Sequence, residues 1–241
     1  MSELAESGVL IGVAHGSKDP RAAATIESLL ELVRARLGGV DVRAAYLGHA
    51  APSLPRVLGA IQGSQDVTVL PLLLTDAYHS KTDIPRLLPR SANYGLPLGP
   101  HPLLIRALER RLAEAGVRPD PDTAVVLAAA GSSDPAANAV IARMAAAWRR
   151  SAGWRAVVPA FASAASPTPA EAVAALHGTG TVAVATYLLA PGFFADRIRE
   201  TSLAAGATAV SAALGAAPEL ADVIAERYTE AAQLDGRVAA A

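Results

Sequence analysis

Two histidines stand in similar surroundings, and their placement points to metal chemistry. His15 follows the apolar run Val9–Ala14, and His79 follows another apolar run, with Ser17 and Ser80 nearby at the starts of predicted helices. Neutral imidazoles bind borderline divalent ions such as cobalt, iron, nickel and zinc, whereas magnesium and calcium prefer oxygen ligands. Two imidazoles without a thiolate make a weak, open site, which suits the transfer of a metal better than its storage.

The other three histidines have less distinctive positions. His49 follows the predicted second strand on the same edge, where it is a candidate third metal ligand or proton acceptor, or else an ordinary loop histidine. His101 is a candidate rim residue, and more simply begins the next helix. His177 stands at a predicted helix end, where the helix dipole favours a cation, so we expect a structural role for it.

Candidate anion-binding groups surround the two helix starts. Backbone N–H groups and hydroxyls at the N-termini of helices are suited to binding anions. The groups and neighbouring cations are Gly16, Ser17, Lys18, Arg21, Ser80, Lys81 and Arg86. Each alone is consistent with helix capping or a solvated charge. As a group they can hold the carboxylates of a polyanionic ligand.

Strands alternate with helices along the chain, which predicts βαβ units and parallel sheets. In the first half we expect strands over residues 9–14, 40–47 and 67–74, a short extended segment at 96–99, and helices over residues 20–37, 52–61, 81–88 and 102–115. The first and third strands are neighbours in the commonest doubly wound order. We therefore expect His15 and His79 to converge at the carboxyl edge of the sheet, where open α/β folds bind ligands.

The second half repeats the first at an offset of 115 positions. Gly16-Ser17 corresponds to Gly131-Ser132, Tyr46 to Phe161 and Pro52 to Pro167. One offset shared by separate segments indicates a duplication. We predict an α/β fold with two duplicated domains, residues 1–117 and 118–241, each a small parallel sheet flanked by helices, facing across a cleft.

The two copies differ where the histidines stand. The counterparts of His15 and His79 are Ala130 and Phe194, so the second half has lost both imidazoles. Phe193 and Phe194 together place aromatic surface at the equivalent edge. We expect core packing to bury at least one of the two rings, and Phe194 to cover the face of a flat macrocycle.

Composition excludes several classes of protein. The chain has 241 residues, 52% of them hydrophobic, and a formal charge of −1, so no global field favours nucleic acid. It has no cysteine, which excludes disulfides and thiolate metal sites. It shows neither a signal peptide nor an apolar stretch long enough to cross a membrane. We therefore expect a soluble cytoplasmic protein.

The chain resembles the sirohydrochlorin chelatase family, the class II tetrapyrrole chelatases, in its long two-repeat form. The residues that carry the resemblance are V-A-H-G-S-K-D-P-R, L-L-L-T-D-A-Y-H-S-K-T-D-I-P and the weaker L-G-P-H-P-L-L, all in the first half. The second half resembles a degenerate copy. Gly48-His49 departs from the pattern, because an acidic residue often stands there.

The resemblance implies that Co²⁺ or Fe²⁺ is inserted into sirohydrochlorin, a tetrapyrrole with many carboxylates, in the synthesis of sirohaem or cobalamin. The metal is then a substrate, no organic cofactor is required, and His15 and His79 form the metal-binding and catalytic pair. We expect a monomer that acts as a pseudo-dimer.

Two alternatives stay open at this point. One is a non-catalytic metal-binding or tetrapyrrole-binding protein of the same fold. The other is a histidine phosphotransferase or phosphatase, which the A-H-G-S turn and nearby cations suggest. Such enzymes usually place Arg directly before the nucleophilic histidine, and Ala14 stands there instead, which disfavours this alternative.

Overall fold

The computed structural model describes residues 8–61, 66–75, 82–178 and 180–238, with side chains up to residue 233. The chain forms two compact units. Unit 1 comprises Met1–His101 with Ala216–Ala241, and unit 2 comprises Pro102–Gly215. No helix of the described part has both the length and the apolar composition needed to cross a bilayer.

Unit 1 is built on a parallel four-stranded sheet in the order β2-β1-β3-β4. Its elements are β1 (Val9–Ala14), α1 (Pro20–Leu37), β2 (Asp41–Tyr46), α2 (Leu54–Gly59), β3 (Val67–Pro71), α3 (Ile84–Leu87), β4 (Asn93–Tyr94) and α8 (Pro218–Val238). Every residue of β1 is buried, as its unbroken apolar sequence predicts for a strand covered on both faces. Because β1 pairs with both β2 and β3, the ends of these three strands lie side by side.

Unit 2 repeats this plan in the order β6-β5-β7-β8, again with all strands parallel. Its elements are α4 (Pro102–Glu114), β5 (Thr123–Ala129), α5 (Pro135–Ala152), β6 (Ala156–Phe161), α6 (Pro169–Leu176), β7 (Thr181–Tyr187), α7 (Phe193–Ala204) and β8 (Ala209–Val210). Its core is formed by side chains of the sheet, α6 and α7, including Val126, Val184 and Ile198. The predicted α/β fold with two duplicated domains of parallel sheet is therefore confirmed.

The duplication extends to the backbone of the loops. Gly16 and Gly131, which are 115 positions apart, have φ of 89° and 87°. His49 and Ala164, separated by the same interval, have φ of 60° and 58°. A positive φ is unusual for residues other than glycine. Both copies have thus kept the loop geometry, although one has a histidine at this position and the other an alanine.

The compact units do not follow the division at residues 117 and 118. The last helix of each sequence repeat packs on the sheet of the other repeat, so α4 belongs to unit 2 and α8 to unit 1. In unit 2, Arg111 of α4 donates hydrogen bonds to the carbonyl of Leu214, and Trp148 donates to Glu109 of α4. The packed units therefore differ from the sequence repeats by the exchange of α4 and α8.

The edge strand of unit 1 is not where the sequence pattern placed it. Extended structure was expected at Leu96–Gly99, but β4 pairs Asn93 and Tyr94 with β3. Leu96 is 62% exposed, whereas Leu98 is fully buried. Pro97 lies between them and has no N–H to donate to a neighbouring strand. Leu98 nevertheless donates its N–H to the carbonyl of Leu73 over 2.9 Å, so the segment runs beside the chain that follows β3 although it is not part of β4.

Candidate functional site

His15 lies at the carboxyl edge of the first sheet, immediately after β1, and its side chain is exposed. Its Nδ1 lies 3.2 Å from the carbonyl oxygen of Gly16. Because a carbonyl only accepts hydrogen bonds, this contact assigns the ring proton to Nδ1. A ring nitrogen held by a carbonyl in this way is typical of metal-binding histidines, in which the opposite nitrogen, here Nε2, is the metal-binding atom.

A close contact joins the turn after β1 to the loop after β2. Gly16 has a φ of 89°, and a Cβ atom there would collide with the carbonyl oxygen of Gly48. Gly48 in turn donates its N–H to the carbonyl of His15 over 3.1 Å. Glycine is required at position 16 both by its backbone conformation and by this approach. The contact fixes the loop that carries His49 against the turn that carries His15.

His49 lies beside His15 and is exposed. Their ring centroids are 6.4 Å apart, and the ring planes differ by 31°. With metal–nitrogen bonds of about 2.1 Å, two imidazoles on one ion have centroids roughly 4.5–6.5 Å apart. The observed separation lies within that range, at its upper end. The contact between the two loop backbones brings the rings together, which makes His49 a candidate ligand beside His15.

The N-terminus of α1 contributes groups for binding an anion. Asp19 caps the helix by accepting from the N–H of Arg21, and Ser17 Oγ accepts from the N–H of Asp19. The Arg21 guanidinium hydrogen-bonds both carboxylate oxygens of Asp19, which lowers the pKa of that carboxyl. Arg21 is therefore engaged with Asp19, whereas Lys18 is exposed.

Comparison with unit 2 explains why the N–H of Ser17, at the start of α1, lacks the side-chain acceptor that its counterpart Ser132 has. In unit 2 the side chain of Asn138 accepts from the N–H of Ser132 and donates to its carbonyl. The residue 115 positions earlier is Ala23, which has no such group. In the part of the chain that the structure describes, no protein acceptor occupies the N–H of Ser17. The significance of Ala23 and of the N–H of Ser17 becomes apparent only when the two repeats are aligned.

Three of the predicted site residues, His79, Ser80 and Lys81, lie outside the described residues. The strand that leads towards them, β3, is paired with β1 as expected. Within the described ranges, no group of three or more His, Cys, Asp or Glu side chains is arranged to hold a metal. His15 and His49 are thus the pair of candidate ligands that the structure brings together.

The equivalent edge of unit 2 has no imidazole. Ala130 and Ala164 replace His15 and His49, and the edge instead presents the aromatic pair at the start of α7. Phe193 is 69% exposed and Phe194 39%, with ring centroids 5.6 Å apart. The expectation that core packing buries one of them is wrong, because the first turn of α7 directs both towards the surface of its unit.

The remaining two histidines lie elsewhere in their units. His101 directly precedes α4, and its Nε2 lies 3.0 Å from a carboxylate oxygen of Glu226. His177 caps the C-terminus of α6, as predicted, and its ring lies against Gly206. His177 is exposed and belongs to unit 2, which makes it a suitable control for substitutions of the other histidines.

Comparison with known proteins gives a consistent result. The CbiX family model matches residues 9–115 and again 124–231. The chain is 28% identical over 203 residues to the sirohydrochlorin cobaltochelatase of Priestia megaterium, a match covering 78% of this chain and 66% of that protein. It is 28% identical over 201 residues to the sirohydrochlorin ferrochelatase of Bacillus subtilis, covering 78% and 77%.

Solved structures show the same fold. SirB from Bacillus subtilis with Fe³⁺ superposes with a TM-score of 0.82 at 26% identity, covering 95% of this chain and 98% of that one. SirB from Bacillus subtilis subspecies spizizenii in complex with cobalt superposes with a TM-score of 0.79 at 23% identity, covering 94% and 96%. The second likeness is one of fold alone.

Proposed function

The chain belongs to the CbiX family, and from that premise we infer that it is a sirohydrochlorin chelatase, which inserts Co²⁺ or Fe²⁺ into sirohydrochlorin. The observation that carries this inference is the pair of imidazole rings 6.4 Å apart at the carboxyl edge of the first sheet. In the second repeat Ala130 and Ala164 replace these two histidines, so only the first repeat has imidazoles at this edge to bind a metal ion. The product would serve sirohaem or cobalamin synthesis.

Metal insertion places two demands on the protein. The ion must be held loosely enough to leave, and the two N–H protons that the macrocycle loses must pass to a base. Neutral imidazoles meet both demands, because they bind borderline ions and because the unperturbed pKa of histidine is about 6.5. His15 is assigned the ion through Nε2, and the Gly16 carbonyl holds the opposite ring nitrogen in its protonated form.

The remaining roles follow the motifs. His79 is assigned as the second catalytic imidazole, and Ser80 and Lys81 as substrate contacts. Phe194 is assigned to the flat face of the macrocycle, and its part-exposed ring is compatible with that role. Because one chain contains two copies of the fold, we expect a monomer acting as a pseudo-dimer, located in the cytoplasm.

Substrate carboxylates are assigned to the start of α1, where Gly16, Ser17 and Lys18 lie. The open N–H of Ser17 and the cation of Lys18 complement a carboxylate, and the positive end of the helix dipole adds to this attraction. The protein thereby binds the macrocycle through its peripheral carboxylates, so that the central nitrogens remain accessible to the metal ion.

Substituting Ala23 with Asn should close this carboxylate site. The new amide would reach the N–H of Ser17, as Asn138 reaches that of Ser132 in unit 2. A hydrogen bond to a charged group contributes about 1.5–3 kcal/mol, so we expect KM for sirohydrochlorin to rise about tenfold or more, with little change in kcat. Steady-state kinetics with varied tetrapyrrole measures this.

The matched control for this substitution is Asn138→Ala. It opens the equivalent N–H in the repeat that lacks the histidines, and it should leave KM unchanged. An unchanged KM in Ala23→Asn, or an equal rise in both variants, would contradict the assignment of carboxylate binding to α1.

Turnover distinguishes a chelatase from a carrier of the same fold. Purified protein is mixed with Co²⁺ or Fe²⁺ and a large molar excess of sirohydrochlorin, and the absorbance change on metallation is followed. We expect conversion well beyond one equivalent of protein, at a rate proportional to protein concentration. Conversion that stops at one equivalent would favour the non-catalytic alternative.

A further inference from the structure

The loop holds the backbone of His49 in a conformation that is unfavourable for a residue with a Cβ. Its φ of 60° lies in the left-handed region, which costs a residue with a Cβ roughly 1–2 kcal/mol and which glycine adopts readily. Ala164 shows that the loop imposes this conformation in both repeats. The loop therefore sets where the side chain of residue 49 begins, whichever residue stands there.

The loop also fixes His49 relative to His15. The N–H of Gly48 is bonded to the carbonyl of His15, and Gly48 lies directly against Gly16. The backbone segments bearing the two histidines are consequently in direct contact. The ring centroids are 6.4 Å apart, whereas two adjacent ligands on one ion have centroids roughly 4.5–5 Å apart, so we expect the side-chain torsions of the two histidines to adjust when an ion binds.

The charges around this pair also bear on the choice of ion. Among the described residues of the turn after β1, the carboxylate is that of Asp19, which caps α1 and is hydrogen-bonded to Arg21. A donor set of neutral imidazoles favours later first-row ions over the oxygen-preferring Mn²⁺ and Mg²⁺. The described part of the edge thus offers two imidazoles, while its carboxylate, that of Asp19, is engaged by Arg21.

We propose that His49 is a metal ligand which, together with His15, holds the divalent ion before the tetrapyrrole arrives and biases the site towards Co²⁺ over Mn²⁺. For its biological role this inference rests on the proposed chelatase activity. Its structural basis is independent of that activity, because it lies in two described side chains and the contact between their backbones.

Metal binding by the full-length protein without any tetrapyrrole tests the proposal. Co²⁺ is titrated into the protein while its visible d–d absorption is recorded, and Mn²⁺ affinity is obtained by competition. Since loss of an outer-sphere partner of a metal ligand typically costs 10–100-fold in affinity, we expect His49→Ala to weaken Co²⁺ binding by at least about tenfold. His15→Ala should weaken it at least as much, and His177→Ala should leave it unchanged.

A second variant tests selectivity directly. His49→Glu supplies a carboxylate at the same backbone position and should lower the ratio of Co²⁺ affinity to Mn²⁺ affinity relative to the wild type. The fold at residue 49 should tolerate both variants, because Ala164 occupies the same conformation in the second repeat.

The outcomes separate this proposal from the assigned function. If His49→Ala binds Co²⁺ as the wild type does, or if His49→Glu leaves the affinity ratio unchanged, His49 is not a ligand and the proposal fails. The chelatase assignment is then tested by the turnover experiment alone. If both histidines prove necessary for Co²⁺ binding but the wild type never converts sirohydrochlorin, the ligand proposal holds and the chelatase assignment fails.

Discussion

Substituting His15 with alanine should reduce the rate of metal insertion by roughly 10²–10⁴-fold, the range typical for loss of a positioned proton-transfer group. The variant removes the imidazole that follows β1, and with it the Nε2 assigned to hold the ion. The side chain is exposed and outside the core, so the fold should be retained. The measurement is the initial rate of sirohydrochlorin metallation at saturating Co²⁺, with circular dichroism to verify folding.

His177→Ala is the control for the loss of a histidine as such. His177 is also exposed, but it caps α6 in unit 2, so its removal should leave the insertion rate near that of the wild type. If His15→Ala retained a rate within a few-fold of the control, the assigned role of His15 would be wrong.

Substituting Gly16 with alanine should destabilise unit 1 and also abolish metal binding. The new Cβ would overlap the carbonyl oxygen of Gly48, and the φ of 89° is itself unfavourable for alanine. A positive φ and overpacking each cost on the order of 1–3 kcal/mol, so we expect a loss of about 2–4 kcal/mol in the free energy of unfolding. Relief of the overlap must move the loop of His49 away from His15.

Gly131→Ala provides a matched comparison in unit 2. Its φ is 87°, and its added Cβ would overlap the carbonyl oxygen of Ser163 in the same way. We expect a similar loss of stability in urea unfolding but unchanged Co²⁺ affinity at temperatures where both variants are folded. Equal Co²⁺ affinity in the two variants would show that the contact between Gly16 and Gly48 does not position the metal ligands.

Much of this fold can be predicted because local signals agree. Helix α1 begins and ends at the predicted residues, since Asp19 caps it, Pro20 opens it and Gly38 follows it. Strand β1 matches its predicted range, because an unbroken apolar run ending in a turn is typical of a buried parallel strand. The repeat offset of 115 positions predicts the same order of elements in the second half.

Other features depend on contacts between distant residues, which periodicity does not report. The exchange of α4 and α8 between the packed units follows from which sheet buries their apolar faces. The periodicity of each helix predicts an apolar face but does not indicate which of the two sheets that face packs against.

Only part of the geometry at the candidate site can be predicted from the sequence. The placement of His15 at the carboxyl edge follows from its strand, but its proximity to His49 depends on the hydrogen bond between Gly48 and His15. The open helix start of α1 depends on an alanine at position 23, whose meaning emerges only beside Asn138. Exposure of Phe193 likewise reflects the direction in which α7 begins, which the aromatic sequence alone does not specify.

The central claim is that the first sheet edge passes a held ion directly to the macrocycle, and a transfer experiment tests it most directly. Protein loaded with one equivalent of radioactive cobalt is mixed with metal-free sirohydrochlorin and excess EDTA, which captures any ion released to solution. We predict that labelled cobalt appears in the tetrapyrrole with wild-type protein and not with His15→Ala. Recovery of all the label in EDTA, with no metallated product, would contradict the claim.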